Sequence, residues 1–347
     1  MKELNIGING FGRIGRSIFR NIEDISGLNV VRINDINPDI DNMAYTINYD
    51  STYGRSKNRY TTSGKNLLHA GTSFSALISH EAEIDRADWT GIDILIDASG
   101  IASNVQRSKN IDTVKKIITT HCHPDVDFTM VLGANEEEYD PVNHNHISSS
   151  ICDATALAPV MKLLNSKFGI KNGSITTLHP WLNYQNLSDG SSASWSIPGQ
   201  TYGHYELGRA SVQNMIPKPT TAITATCQVL DNISTDKIGS FSYRTPHPIV
   251  GSADLSLNLS KDCTKEDVNR VFEEAQESQS FEIFYCNYEP LISCDFIKHT
   301  ASAIVDLRWT DVVDNRLLKI VLWYDNEYGY SARVVDQVLY IGSFIDE

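Results

Sequence analysis

The chain has 347 residues, with 29 Lys and Arg against 43 Asp and Glu, and a formal charge of −14. Its length sets a prior of about two domains of about 150 residues each, enough to bury a core without disulfide or metal staples. Hydrophobic content of 41% and charged content of 21% exclude a disordered chain, and the acidic balance argues against nucleic acid or an anionic membrane surface as a partner.

The first residues, Met1 to Arg16, lack the apolar stretch and small-residue cleavage site of a secretory signal. No run of about 18 apolar residues suggests a membrane span. Leu4–Ile8 is an apolar run of strand character, and Gly10-Phe11-Gly12-Arg13-Ile14-Gly15 follows it. Arg16–Ile22 reads as a helix, and Leu28–Ile33 as a second strand ending in Asn34-Asp35. Strand, glycine turn, helix and strand make one βαβ unit. Further strands are expected at Ile92–Asp97, Lys116–Thr119 and Thr129–Gly133, and the alternation implies a mostly parallel sheet. The pair His144 and His146 sits in what reads as a polar turn, and Glu136-Glu137-Glu138 as a solvated face.

After Cys152 the texture changes. Ala154–Phe168 reads as a long helix. From about Ile175 onward come longer alternating segments: Ser240–Tyr243, Ala253–Leu259, Ala303–Leu307 and Leu317–Trp323. They predict a mostly antiparallel sheet with one covered face. Asp189–His204 reads as a long loop, and Ser331–Ile341 as a closing helix.

Two constellations carry chemistry. Gly10-x-Gly12-x-x-Gly15 follows a strand and opens a helix, and Asp35 lies about 20 residues on, after the next strand. Glycines there let the backbone approach a pyrophosphate, and a carboxylate at Asp35 favours NAD over a 2′-phosphorylated nucleotide. The alternative is a plain glycine turn beside a surface Asp. The second is Cys152, immediately before a helix, where a thiol ionises more readily. Alone it could be a small buried hydrophobe; His179, at the end of the following strand, is a candidate base. The six cysteines are scattered with no C-x-x-C pair, so reduced thiols in a cytoplasm are expected. His121-Cys122-His123 has no ligand-spaced partner, and no metal site is expected.

These residues and several further blocks resemble the phosphorylating glyceraldehyde-3-phosphate dehydrogenase family over nearly the whole chain. The blocks are 9–16, Asn34-Asp35, 49–54, Ala98-Ser99-Gly100, Gly208-Arg209-Ala210, 214–217, Arg244-Thr245-Pro246 and 323–331. The resemblance implies an α/β fold: a Rossmann-type dinucleotide-binding domain over 1–151, and an α+β catalytic domain over 152–326. The C-terminal helix, about 327–347, returns to the first. It also implies aldehyde oxidation through a Cys thiohemiacetal and thioester, with NAD as cofactor. Cys152 matches the nucleophile and His179 its base. Gly10, Phe11, Gly12, Arg13, Ile14, Gly15, Asp35, Ser99, Gly100, Thr119, Asn326 and Tyr330 match cofactor positions. Arg209, Thr220 and Arg244 match substrate positions. A small-molecule aldehyde, possibly anionic, and a cytoplasmic homotetramer are implied as well.

The nucleophile block departs from the family's Ser-Cys-Thr-Thr-Asn-Cys and reads Ile151-Cys152-Asp153-Ala154-Thr155-Ala156. Ile151 cannot donate to phosphate, and Asp153 would repel it. Two like charges about 4 Å apart interact by about 4 kcal/mol at an effective dielectric of about 20, roughly several hundred-fold or more in occupancy. Leu182 and Thr221 replace further phosphate-site residues, and the loop between Asp189 and Arg209, with Trp195, Tyr202, His204 and Tyr205, is longer than the family's. The expectation is therefore an NAD-dependent aldehyde dehydrogenase with altered substrate or acyl acceptor. Asp153, counted as a substrate-site residue, could bond Arg209 or face the substrate; it should also raise the Cys152 pKa, with an imidazolium at His179 offsetting it. The alternatives are an ordinary phosphorylating enzyme and a silent NAD-binding paralogue.

Overall fold

The computed structural model describes residues 3–23, 25–192 and 203–345; Trp195 and Tyr202 lie outside them. The chain forms two compact units. The first comprises Met1–Thr129, Tyr139–Ser149 and Val334–Glu347, and the second Met130–Glu138 and Ser150–Arg333. The partition thus falls inside the last helix rather than before it.

In the first unit the chain runs β1 (Leu4–Asn9), α1 (Arg13–Ile22), β2 (Leu28–Asn34) and α2 (Ile40–Asn48). A small hairpin, β3 (Tyr49–Asp50) and β4 (Gly54–Arg55), precedes β5 (Tyr60–Ser63), β6 (Asn66–His69) and β7 (Ser75–Ser79). Then come β8 (Ile94–Asp97), α3 (Asn104–Arg107), β9 (Lys116–Thr119), β10 (Phe128–Thr129) and β11 (His146–Ser148). Nine strands form one sheet in the order β10-β11-β9-β8-β1-β2-β7-β6-β5. It is parallel from β10 to β7, and β5 and β6 add an antiparallel edge. Ile6, Ile8, Ile33, Ile94 and Ile96 are wholly buried, as a sheet covered on both faces requires.

Two expectations fail here. The run 129–133 is not a strand: β10 stops at Thr129, and Val131 N–H donates to Asn135 Oδ1 at 2.9 Å while Ala134 N–H returns to Val131 O at 2.9 Å. With Gly133 at φ +82°, this stretch is a tight turn. His146 is not in a polar turn either; it is buried and opens β11. Its ring cannot easily hold charge there, and burial pushes its pKa down to about 4.

The second unit begins with α4 (Cys152–Phe168) and β12 (Ile170–Pro180). It continues through β13 (Ile216–Lys218), α5 (Ala222–Cys227), β14 (Ile238–Thr245), β15 (Gly251–Leu259) and α6 (Lys265–Ser278). Next come β16 (Phe284–Asn287), β17 (Ala303–Asp306), β18 (Asp311–Val313), β19 (Leu317–Tyr324) and the start of α7 (Tyr328–Gly342). The sheet runs β13-β14-β12-β15-β19-β17-β16, with β18 also on β19. Most neighbours are antiparallel; β12 with β14 and β16 with β17 are parallel. Leu157, Val160, Met161 and Leu164 bury one side of α4, which lies against α5, β12 and β17. No described helix is long and apolar enough to cross a membrane.

The glycine loop shows why its spacing matters to the first unit. Gly10 has φ +85°, and a Cβ there would lie 2.5 Å from Ser99 N. A Cβ at Gly15 would lie 2.0 Å from Gly10 O, so α1 can approach the loop only without one. We expect Gly15→Ala to destabilise the protein by about 1–3 kcal/mol, the usual cost of overpacking, read as a lowered thermal midpoint. An unchanged midpoint would contradict this close approach.

Candidate active site

In the first unit, the C-terminal ends of the parallel strands meet in a polar network. Asn9 Nδ2 donates to Asp97 Oδ1 at 2.8 Å, and Asn34 Nδ2 to Asn9 Oδ1 at 2.8 Å. Such strand ends are where doubly wound sheets take their ligands. Asp35 is drawn to the glycine loop: its Oδ2 accepts Phe11 N–H at 2.5 Å and its Oδ1 accepts Asn37 N–H at 2.8 Å. Arg13 pairs with Asp50 at 3.4 Å, Phe11 is buried and Ile14 half-buried.

Gly12 differs from its two neighbours in the motif. Among the described residues, a Cβ there would meet no atom within 4 Å, and no side chain caps α1. Protein packing does not demand this glycine, while open space over uncapped helix N–H groups suits a pyrophosphate. The residues fit a dinucleotide. Ser99 and Gly100 adjoin the loop, with Ser99 Oγ accepting from Asn104 Nδ2 at 2.9 Å. Thr119, at the end of β9, is buried with its hydroxyl 3.2 Å from His121 Nδ1.

In the second unit, the backbone enters α4 through a strained step: Ser150 has φ +60°, a region that non-glycine residues rarely adopt. Cys152 is the first helical residue, and Ile151 provides no side-chain cap. The Cys152 sulfur lies 3.6 Å from His179 Nε2. His179 Nδ1 is 2.8 Å from Pro180 O. A carbonyl only accepts, so Nδ1 carries the proton and Nε2 faces the thiol as an acceptor. The parallel pairing of β12 and β14 sets His179 beside Arg244, and Thr245 Oγ1 donates to His179 O at 3.1 Å.

The electrostatics follow from burial. Burial, and then the Asp153 charge, push the Cys152 thiol well above its ordinary range, outweighing Arg244 and the helix N–H groups. Burial and Arg244 push His179 down to about 4. At neutral pH the pair is therefore thiol and neutral imidazole. This corrects the expected imidazolium: Arg244 opposes a second positive charge beside it.

Asp153 does not bond Arg209. Arg209 is largely exposed, and its Nε pairs with Asp189 at 2.9 Å. Asp153 is buried, and its Oδ1 accepts from the Tyr324 hydroxyl at 2.5 Å. Thr220 stands apart from this cluster's hydrogen bonds, its Oγ1 accepting Ala222 N–H at 3.2 Å. Arg244 is buried; it donates to Tyr184 Oη at 3.1 Å, and among the described residues its Nε has no hydrogen-bond partner. Asn326 is occupied in part, with Oδ1 accepting Val250 N–H at 3.1 Å. Tyr330 donates to Ser150 O at 3.3 Å.

Sequence reading missed Tyr324, Lys218 and Gly251. Tyr324 lies inside the 323–331 block but had no evident partner. Lys218 is half-buried near the cluster; burial and Arg244 push it down to about 8, against the pull of Asp153. Gly251 pairs with Tyr324 across β15 and β19, and a Cβ there would lie 2.7 Å from the phenol ring.

A carboxylate oxygen of Asp153, the Cys152 sulfur and a His179 ring nitrogen lie within 4.8 Å of one another. These are ligand types that zinc accepts, but the field of Arg244 on Cys152 and His179 works against a dication.

Comparison with known proteins matches residues 4–105 to the NAD binding domain of glyceraldehyde 3-phosphate dehydrogenase and residues 149–326 to its C-terminal domain. The chain is 36% identical to the glyceraldehyde-3-phosphate dehydrogenase of Priestia megaterium, over 98% of both chains. It is 35% identical to glyceraldehyde-3-phosphate dehydrogenase 1 of Bacillus subtilis, over 97% of this chain and 98% of that one. The Geobacillus stearothermophilus glyceraldehyde-3-phosphate dehydrogenase is likewise 35% identical, over 98% of both. With both family domains matched and relatives aligned nearly end to end, the chain belongs to the glyceraldehyde-3-phosphate dehydrogenase family of NAD-dependent oxidoreductases.

Proposed function

We propose that this chain oxidises a small, anionic aldehyde through a thioester on Cys152 and passes the acyl group to an acceptor other than phosphate. The reading rests on one observation above others: the nucleophile and its base stand 3.6 Å apart while a buried carboxylate, Asp153, sits beside them. Residues 1–151 would serve the nucleotide and 152–326 the chemistry, in a cytoplasmic homotetramer as the family resemblance implies.

His179 Nε2 takes the Cys152 proton as sulfur bonds to the aldehyde carbon, giving a thiohemiacetal. The Nδ1–H bond to Pro180 O holds the ring in the tautomer this transfer needs. Arg244, with its unpaired Nε, holds the anionic end of the substrate, with Arg209 and Thr220 as the further substrate positions. The loop from Gly10 to Gly15 and Asp35 hold the nucleotide, with Ser99, Gly100 and Thr119 around it; Asn326 and Tyr330 are cofactor positions by the family resemblance alone. When bound, NAD would supply the hydride acceptor; His179, having passed its first proton to the new hydroxyl, takes that proton up again as the thioester forms on Cys152 and releases it to solvent. Phosphate then meets Ile151 and Asp153 where relatives with Ser and Thr would donate hydrogen bonds.

One observation favours a second reading, an ordinary phosphorylating enzyme. Lys218 and Arg244 place two positive charges near Asp153, and these could retain phosphate. NADH formation from an aldehyde panel, with and without phosphate or arsenate, separates the two. We expect turnover on an anionic aldehyde that phosphate does not accelerate and that Cys152→Ser abolishes. Strong phosphate-dependent turnover would establish the second reading instead.

Two further outcomes test the parts. Gly12→Val should weaken NAD binding by about tenfold or more, since the side chain would occupy the pyrophosphate's space, yet leave the thermal midpoint in place. Equal affinity would remove the loop from the cofactor site. Alkylation of Cys152 by iodoacetamide should keep accelerating with pH past about 9, because the thiol must first lose its proton. Asp153→Asn should move that curve to lower pH, since a negative charge disfavours the thiolate. A wild-type plateau near neutrality would contradict the assigned electrostatics.

A further inference from the structure

We propose that Asp153, oriented by Tyr324, is a catalytic residue that activates water against the acyl group on Cys152, so that the product is a free carboxylic acid. The inference rests on the Cys152 thioester of the preceding section and names its acceptor.

Three observations carry it. Asp153 follows the nucleophile directly, and a carboxylate oxygen lies within 4.8 Å of both the sulfur and a His179 ring nitrogen. At such a separation a water attacking a carbonyl carbon on the sulfur would be within hydrogen-bond reach of the carboxylate. Second, the carboxyl is fixed. Tyr324 Oη donates to Oδ1 at 2.5 Å, and burial and the Asp153 charge keep that phenol protonated. Among the described residues Oδ2 has no hydrogen-bond partner and remains able to accept a proton. Third, the phenol is itself placed: only glycine at 251 clears the Tyr324 ring.

The step balances without any further reagent. Asp153 removes a proton from water as the oxygen bonds the thioester carbon. The tetrahedral adduct collapses, the carbon–sulfur bond breaks, and sulfur leaves with the electron pair. The sulfur regains a proton from Asp153, restoring thiol and carboxylate, and the released acid loses its own proton to solvent. His179 serves the thiol in acylation, and Asp153 serves water in deacylation.

The two half-reactions can be read apart with p-nitrophenyl acetate, which acylates a reactive thiol without NAD and without knowledge of the natural aldehyde. In stopped flow on the full chain, the nitrophenolate burst reports acylation and the following steady rate reports deacylation. Asp153→Asn should quicken the burst at neutral pH, because the thiol ionises more easily. It should slow deacylation by about 100-fold or more, the usual worth of a positioned base. Asp153→Glu should recover part of the loss. Tyr324→Phe, which keeps the ring, should slow deacylation and shift its acid limb to higher pH, because Asp153 loses a donor to its charged form. That shift marks Tyr324 as a positioning residue rather than packing alone.

Parallel loss of burst and deacylation in Asp153→Asn would overturn the proposal, as would a deacylation rate left unchanged. An unchanged acid limb in Tyr324→Phe would overturn the role given to Tyr324. Failure of the aldehyde panel, with deacylation still dependent on Asp153, would remove the substrate reading and leave this one. Phosphate acceleration of deacylation in wild type and Asp153→Asn alike would instead count against Asp153 as the base.

Discussion

The hydrogen bond from the Tyr324 phenol to Asp153 ties the end of β19 to the first turn of α4. Hydrogen bonds to charged groups contribute about 1.5–3 kcal/mol, and this one also decides where a buried charge points. Its supports are traceable. Asn326 accepts the N–H of Val250, which sits at φ +71°, a conformation that a β-branched residue adopts only when its surroundings impose it. Gly251 follows and leaves the space that the Tyr324 ring fills. Ser150, at φ +60°, makes a second bend, two residues before Cys152. Backbone strain at two points thus surrounds one carboxylate.

Charge in this cluster is governed by burial more than by pairing. Cys152 and His179 are both held neutral, one pushed up and the other down to about 4. Arg244 works in both directions: it eases ionisation of the thiol and resists protonation of the imidazole. Asp153 does the reverse. Their opposition lets a thiol, an imidazole and a guanidinium share a small buried space with the first two neutral. Lys218, lowered to about 8, feels the same two fields.

The glycine spacing, Cys152, His179 and the order of strands and helices were legible because each is a local pattern or lies within a short stretch of chain. Periodicity placed α4 and β15 to within a few residues. What the pattern could not carry was pairing over distance. Asp153 and Tyr324 are 171 residues apart, and nothing in either neighbourhood names the other. Arg209 looked like the natural partner of Asp153 by charge, yet Asp189 captures it at the surface. The failure at 129–133 has a different cause: an apolar run reads as strand until a single Asn, Asn135, closes it into a turn. The protonation of His179 was misjudged because its burial, and then the approach of Arg244 through the pairing of β12 with β14, arise only in the folded chain.

Keeping Cys152 protonated at rest has a consequence outside turnover. Peroxides attack thiolates, and the passage from sulfenic to sulfinic acid starts there. A sulfur that burial and Asp153 hold as a thiol becomes nucleophilic when His179 takes its proton. The arrangement that slows its ionisation therefore also slows attack of oxidants on the resting sulfur.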